Sequence, residues 1–238
     1  MSTYLLVDLL ALSMPFLLSF DKKVHFYTQW KYLFPSIILT MLLFIPWDIV
    51  FTLKGIWGFN PMHLSGISIL HLPLEEWLFF IVVPYASIFT YEVLNAYIKR
   101  DLLAKYSRYI SVFLIFLLFL IAILSFAKAY TSVSFIFAAV FIIIAEFILK
   151  SKFMGRFYLA YFVILIPFFA VNGILTGSFI EEEVVWYNNS ENLSIRLFTI
   201  PIEDAVYGLL LMLMNTTFYE YFKKNGNNKV SSIYITKH

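Results

Sequence analysis

Seven mostly apolar stretches, each about 20 residues long, run along the chain and are separated by short polar connections. A helix needs roughly this length to cross the hydrocarbon core of a bilayer, which is about 30 Å thick. The pattern therefore predicts seven membrane-spanning helices and leaves little room for a soluble domain. The predicted spans are residues 4–20, 32–53, 75–97, 109–127, 130–149, 157–176 and 201–222.

The composition agrees with a membrane protein. Of the 238 residues, 61% are hydrophobic and only 13% are charged, whereas a soluble domain is normally about a quarter charged. We therefore predict an integral protein of the cell membrane. The chain has no cysteine, which excludes disulfide bonds, thiolate nucleophiles and cysteine metal sites.

The basic residues predict how the chain is oriented. With seven spans, 14 of the 17 Lys and Arg residues fall on one side of the membrane. The other side receives Lys54, Lys128 and Arg196. Because basic residues collect on the cytoplasmic side, we expect the amino terminus outside and the carboxyl terminus in the cytoplasm.

A short motif occurs twice and indicates an internal repeat. Pro73-Leu74-Glu75-Glu76 returns 128 residues later as Pro201-Ile202-Glu203-Asp204, and Trp57-Gly58-Phe59-Asn60 aligns at the same offset with the stretch ending at Asn188. Spans two and three then correspond to spans six and seven, which cross the membrane in the same direction. The predicted fold is an all-α membrane protein with seven helices in a 3+1+3 arrangement of parallel repeats. Its parts are a first repeat (1–100), a linker helix (101–129), a second repeat (130–225) and a short cytoplasmic tail (226–238).

The two acidic pairs are the strongest candidates for chemistry. A proline followed by acidic residues is also an ordinary way to begin a helix. However, charge inside a membrane is costly and marks functional sites, and here a pair recurs at equivalent positions near the outer edge of the hydrocarbon. The predicted catalytic residues are Glu75, Glu76, Glu203 and Asp204, in helices started by Pro73 and Pro201. The supporting polar and aromatic residues expected at the same depth are Asp48, Asn172, Trp77, Phe79 and Tyr207.

Whether these carboxyl groups are buried decides between the two interpretations. Loss of water and a neighbouring carboxylate both favour the protonated form of a carboxyl group, as a proton donor at neutral pH requires. Wetted pairs would serve only as helix caps. The chain has no glycine-rich nucleotide loop and no HxxxH or HExxH spacing, so neither a cofactor nor a metal is expected.

The duplicated motif resembles that of the cofactor-independent lycopene cyclases, the class built from two small membrane subunits or their fusion. Both copies fit the family pattern Pro-x-Glu-(Glu/Asp), and the resemblance extends to Trp57-Gly58-Phe59-Asn60-Pro61 and covers nearly the whole chain. It implies an isomerase (an intramolecular cyclising lyase) that converts the acyclic ends of lycopene into β-ionone rings. A general acid protonates the terminal double bond, the carbocation closes the ring, and a base removes a proton.

Our hypothesis for this chemistry is that Glu75 or Glu203 is the acid and that the adjacent Glu76 or Asp204 helps to hold or return the proton; the sequence does not assign the roles. The expected partners are a lipophilic carotenoid and membrane lipid, with no nucleic acid, and the oligomeric state is left open. The alternative from another class is a seven-span small-solute transporter with proton-coupling carboxylates. Against it, the polar residues lie in an outer layer rather than at the midplane.

Overall fold

A computed structural model describes residues 2–235, with side chains from residue 2 to residue 226. Seven α-helices form most of this chain: α1 (Thr3–Leu18), α2 (Trp30–Leu53), α3 (Leu74–Tyr97), α4 (Ser107–Leu124), α5 (Ala129–Ile143), α6 (Met154–Leu175) and α7 (Ile202–Ile235). A π-helical turn, Ile144–Ile148, continues α5, and short 3₁₀ helices occupy Phe26–Gln29 and Pro61–His63. Each predicted span coincides with one helix.

Within the part of the chain that the structure describes, five helical segments are long and apolar enough to cross a membrane. They are Phe26–Leu53, Leu74–Tyr97, Ser107–Leu124, Ala129–Ile148 and Met154–Leu175. Helix α1 is apolar but has only 16 residues. Large apolar side chains on α1 and α4, such as Met14 and Phe116, are exposed on the surface of the bundle, as expected for helices that face lipid.

Helix α7 is the central helix of the bundle. Every residue from 208 to 217 is buried, so protein surrounds this part of the helix on all sides. A surrounded helix can carry polar residues such as Asn215 among its apolar ones because it does not face lipid. This explains why α7 is less apolar than its neighbours. The helix continues to Ile235, past the predicted start of the tail at residue 226, and residues 236–238 lie outside the described chain.

The two longest connections form a cap over one end of the bundle. The first contains β1 (Trp57–Phe59), β2 (Ser68–Ile69) and β3 (Leu72–Pro73), and the second contains β4 (Val185–Tyr187), β5 (Arg196–Leu197) and β6 (Ile200–Pro201). Strands β2 and β3 form a hairpin directly before α3, and β5 and β6 form one directly before α7. Each hairpin therefore fixes the start of a helix that carries an acidic pair.

The two halves of the chain are joined across this cap. Strands β1 and β4 pair antiparallel, with Trp57 opposite Tyr187 and Phe59 opposite Val185. Gly58 therefore lies opposite Trp186, the residue 128 positions later in the chain. The opposite end of the bundle is joined by side chains.

At that end, Tyr91 donates a hydrogen bond of 2.7 Å to Glu220. Lys223 pairs with Glu92 at 2.7 Å. The two ends of the bundle therefore each hold contacts between the halves.

Candidate active site

Both acidic pairs lie in the first turn of a helix beneath the cap. Pro73 ends β3 and Pro201 ends β6, so each proline is the last extended residue before its helix begins. All four carboxyl groups are buried: Glu75, Glu76, Glu203 and Asp204 expose 1%, 8%, 0% and 4% of their surface. Caps wetted by the outer loops would be exposed. Because all four carboxyl groups are buried, they do not have the contact with water that a purely capping role would require.

The first residue of each pair holds a loop and a neighbouring helix. Glu75 Oε1 accepts hydrogen bonds from Ser2 Oγ (2.7 Å) and from the backbone N–H of Ser65 (2.6 Å). Glu203 Oε1 accepts the same kinds of bonds, from Thr131 Oγ1 (2.6 Å) and from the backbone N–H of Leu193 (2.7 Å). In both halves the backbone donor lies ten residues before its glutamate.

The second residue of each pair binds a tyrosine at the start of another helix. Tyr4, the second residue of α1, donates a hydrogen bond of 2.5 Å to Glu76 Oε2. Tyr130, the second residue of α5, donates one of 2.5 Å to Asp204 Oδ1. Glu76 and Asp204 line one small cavity of about 50 Å³. Both acids of each pair were predicted to face one shared cavity. In the structure, the second acid of each pair lines it.

The surroundings of these two acids differ. Asp204 Oδ2 also accepts hydrogen bonds from Asn172 Nδ2 (2.6 Å) and from the Tyr187 hydroxyl (2.9 Å), which makes three donors in all. Loss of water and the nearby Asp204 carboxylate raise the pKa of Tyr187, in strand β4, well above its ordinary value, so this phenol stays a donor. Glu76 has a second carboxyl group, Asp48, beside it.

Asp48 brings α2 into the site. Its Oδ1 accepts hydrogen bonds from Trp57 Nε1 (2.6 Å) and Thr52 Oγ1 (3.3 Å). The side chain is 1% exposed and lies near Glu76. The site therefore contains two adjacent acids on one side and a single, well hydrogen-bonded acid on the other.

Aromatic rings form the walls of the cavity. Tyr130 stacks on Tyr187 with ring centroids 5.7 Å apart, and Trp57 packs edge-on against Tyr130 at 5.0 Å. The predicted residues Phe79 and Tyr207 also line the cavity. Trp77 does not, because its indole N–H donates to the backbone oxygen of Ile69 in the hairpin.

Several residues of the site were not identified from the sequence. Tyr4 and Tyr130 lie more than 70 residues before the acids they contact, and nothing local marks them. Trp57 and Tyr187 fall in the aligned stretches before the motifs, which is the one signal that could have pointed to them. Among the described residues, no group of three or more His, Asp or Glu side chains is arranged to hold a metal ion.

The fold and the cavity together define a class: a helical membrane protein with buried carboxyl groups in a cavity that has aromatic walls. The comparison with protein families is more specific. The model of the family described as lycopene cyclase matches residues 1–94 and 127–222. The chain belongs to this lycopene cyclase family, as its motifs indicated. No match was found among curated proteins or among solved structures.

Proposed function

We propose that this protein converts the acyclic ends of lycopene into β-ionone rings, as an isomerase that needs no cofactor. Membership of the lycopene cyclase family supports a carotenoid cyclase role, and nothing supports the transporter alternative. The observation that carries the proposal is the cavity shared by Glu76 and Asp204. It offers a proton donor, a proton acceptor and aromatic walls to one substrate.

The hydrogen bonds around the two acids suggest their roles. Glu76 accepts one hydrogen bond and lies beside Asp48, an arrangement that favours a proton held between two carboxyl groups. Asp204 accepts three hydrogen bonds, which favour its carboxylate form. Glu76 is therefore the general acid, and Asp204 is the base.

Glu75 and Glu203 have positioning roles in this proposal. Their bonds to a hydroxyl group and to a loop N–H hold the cap and the neighbouring helix against α3 and α7. This reverses the roles within each pair that we hypothesised from the sequence. The reason is that only the second acid of each pair borders the cavity.

The reaction requires no net exchange of atoms or electrons. Glu76 transfers its proton to the terminal double bond, which leaves a tertiary carbocation. A second double bond of the substrate attacks this cation and closes a six-membered ring, and Asp204 then removes a proton from the ring. Return of this proton from Asp204 to Glu76 across the shared cavity restores both groups for the next ring closure. Tyr207, Trp57 and Phe79 border the cavity, and an aromatic ring whose face meets a passing cation can stabilise it by about 0.5–2 kcal/mol.

We further propose that the chain spans the cell membrane seven times, as two parallel three-helix repeats joined by α4. The register of β1 and β4 supports this, because it places Gly58 opposite its equivalent, Trp186. The matched contacts of Glu75 and Glu203 support it as well. The uneven distribution of basic residues supports an outer amino terminus, which places the carboxyl groups near the outer face.

Expression in lycopene-accumulating cells followed by pigment chromatography tests the function. We expect a new product with β-ionone rings and a matching loss of lycopene. The control is the double variant Glu76→Gln/Asp204→Asn, which should accumulate in the membrane without forming product. Unchanged lycopene in cells with abundant folded wild-type protein would overturn the proposal.

A further inference from the structure

A second cavity adjoins the carboxyl cavity and opens at the apolar surface of the bundle. It has a volume of about 330 Å³ and lies between α1, α3, α6 and α7. Phe79, Phe168 and Asn172 line both cavities. Leu10 and Met14 of α1 border the second cavity and are 62% and 68% exposed. We call this second cavity the lateral groove.

The carboxyl cavity alone is too small for a substrate. Its volume is about 50 Å³. Pockets for small organic molecules have volumes of about 300–1,000 Å³, a range that the lateral groove reaches by itself. An apolar molecule in contact with Glu76 and Asp204 must therefore occupy space in the groove.

Small residues keep the groove open. Gly208 of α7 and Ala86 of α3 both line it. At the offset of 128 residues, Phe80 corresponds to Gly208 and Met214 corresponds to Ala86. The phenyl ring of Phe80 is fully buried, and Met214 is 6% exposed. Both of these equivalent residues are thus larger than their counterparts in the groove and are buried in the core.

The aromatic packing in the other half of the chain also shows larger side chains at positions equivalent to the groove. Ala11 of α1 lines the groove. Alignment of Tyr4 with Tyr130 makes Phe137 the equivalent of Ala11, and Phe137 packs edge-on against Trp47 at 5.4 Å. Trp47 in turn lies 5.1 Å from Tyr207, ring centroid to ring centroid. Phe137 is 41% exposed, and together with Trp47 it occupies the part of the corresponding space that lies next to Tyr207.

We propose that the lateral groove is the route by which one end of an acyclic carotenoid passes from the lipid to the carboxyl cavity. The inference rests on the proposed function for the identity of the occupant. The end group passes Phe79 and Phe168, which border both cavities, while the rest of the polyene lies in the groove and extends into the lipid. Because larger side chains occupy the equivalent space next to Tyr207 in the other half, a molecule with two acyclic ends is processed one end at a time.

Substitutions that fill the groove test this route. A Cβ atom at Gly208 would lie 3.5 Å from the Phe168 ring, which is ordinary contact, so Gly208→Ala narrows the groove only slightly and should lower product much less than Gly208→Phe. Gly208→Phe introduces the residue found at the equivalent position and should lower cyclised product per folded protein about tenfold or more, because an overfilled apolar site rejects its ligand. Ala86→Met should act in the same direction. Ile123→Phe adds bulk on the exposed surface of α4 and serves as the control.

A binding measurement separates the route from the chemistry. Glu76→Gln protein purified from lycopene-accumulating cells should retain bound lycopene, and adding Gly208→Phe should remove most of it. If wild-type protein forms no product but Gly208→Phe still removes the bound polyene, the proposed function fails and the groove remains a polyene site.

The opposite result would refute the lateral groove as the route of the substrate. If wild-type protein cyclises lycopene and both Gly208→Phe and Ala86→Met keep full product and full bound polyene, substrate reaches the acids by another path. If an unfolding assay in detergent shows that Gly208→Phe is not folded, product and bound polyene of the Ala86→Met variant alone decide between the groove and another path.

Discussion

Replacing each glutamate of the first motif by glutamine distinguishes a proton donor from a positioning residue. In the Glu76→Gln variant, the glutamine side chain has the size of the glutamate and can still accept the hydrogen bond from Tyr4, but it has no acidic proton to transfer. General acid catalysis typically contributes about 10²–10⁴-fold to a rate. We therefore expect Glu76→Gln to lower the rate of cyclisation about 100-fold or more while leaving the thermal unfolding midpoint nearly unchanged.

Glu75→Gln should have the opposite effects: a lower unfolding midpoint and a largely retained rate of cyclisation. The amide oxygen can still accept from Ser2 and Ser65, but each bond changes from a charge-assisted one worth about 1.5–3 kcal/mol to a neutral one worth about 0.5–1.5 kcal/mol. Losing about 1 kcal/mol at each of the two bonds destabilises the fold by about 2 kcal/mol. The unfolding midpoint should fall by roughly 4–8 °C, with activity per folded protein reduced less than about tenfold.

The assay needs both readouts on the same preparations. Pigment chromatography gives product per unit of membrane protein, and an unfolding curve in detergent gives the midpoint. The matched pair Glu203→Gln and Asp204→Asn repeats the comparison in the second half. Loss of activity in Glu75→Gln at an unchanged midpoint, together with an active Glu76→Gln, would refute the assignment of roles.

Two further substitutions probe the cap and the base. A Cβ atom at Gly58 would overlap the Trp186 ring, so Gly58→Ala should lower stability by about 1–3 kcal/mol in unfolding measurements. The cost should largely disappear in a Trp186→Ala background, and its persistence there would contradict the explanation. Asn172→Leu removes a 2.6 Å hydrogen bond to Asp204, worth about 1.5–3 kcal/mol to the carboxylate. Pigment chromatography should show cyclisation slowed about tenfold or more, whereas unchanged product would argue against Asp204 as the base.

The helices and the position of the acidic pairs could be predicted because their signals are local. A run of apolar residues long enough to cross a bilayer specifies a helix without reference to the rest of the chain. A proline before two acids marks the start of that helix, and α3 and α7 begin directly after Pro73 and Pro201. The register of the duplicated motif then predicts which acids occupy equivalent places.

Which acid of each pair faces the cavity could not be predicted. Successive residues of a helix point about 100° apart, so Glu75, Glu76 and Trp77 face three directions. The direction that meets the cavity depends on the rotation of α3, which is set by packing against distant helices. That rotation directs Glu76 to the cavity and Trp77 to the hairpin. The tyrosine partners were missed for the same reason, since only tertiary packing brings them to the acids.

Cutting the chain between Phe126 and Ala127 tests whether the two halves are separate folding units with one shared site. The cut falls in the connection between α4 and α5, where Phe126 is 77% exposed. The fragments would be held together by the β1–β4 pair and by the bonds at the opposite end, Tyr91 to Glu220 and Lys223 to Glu92.

We expect fragments 1–126 and 127–238 to be inactive alone, since each carries only one of the two acids of the cavity. Co-expressed, they should copurify and cyclise lycopene. Parallel repeats also require both fragments to insert with their amino termini on the same side, which site-directed labelling of added cysteines can measure. If both fragments accumulate with the same orientation and copurify but form no product, the connection between α4 and α5 has a role beyond linking the halves. If they insert with opposite orientations, the parallel arrangement is wrong.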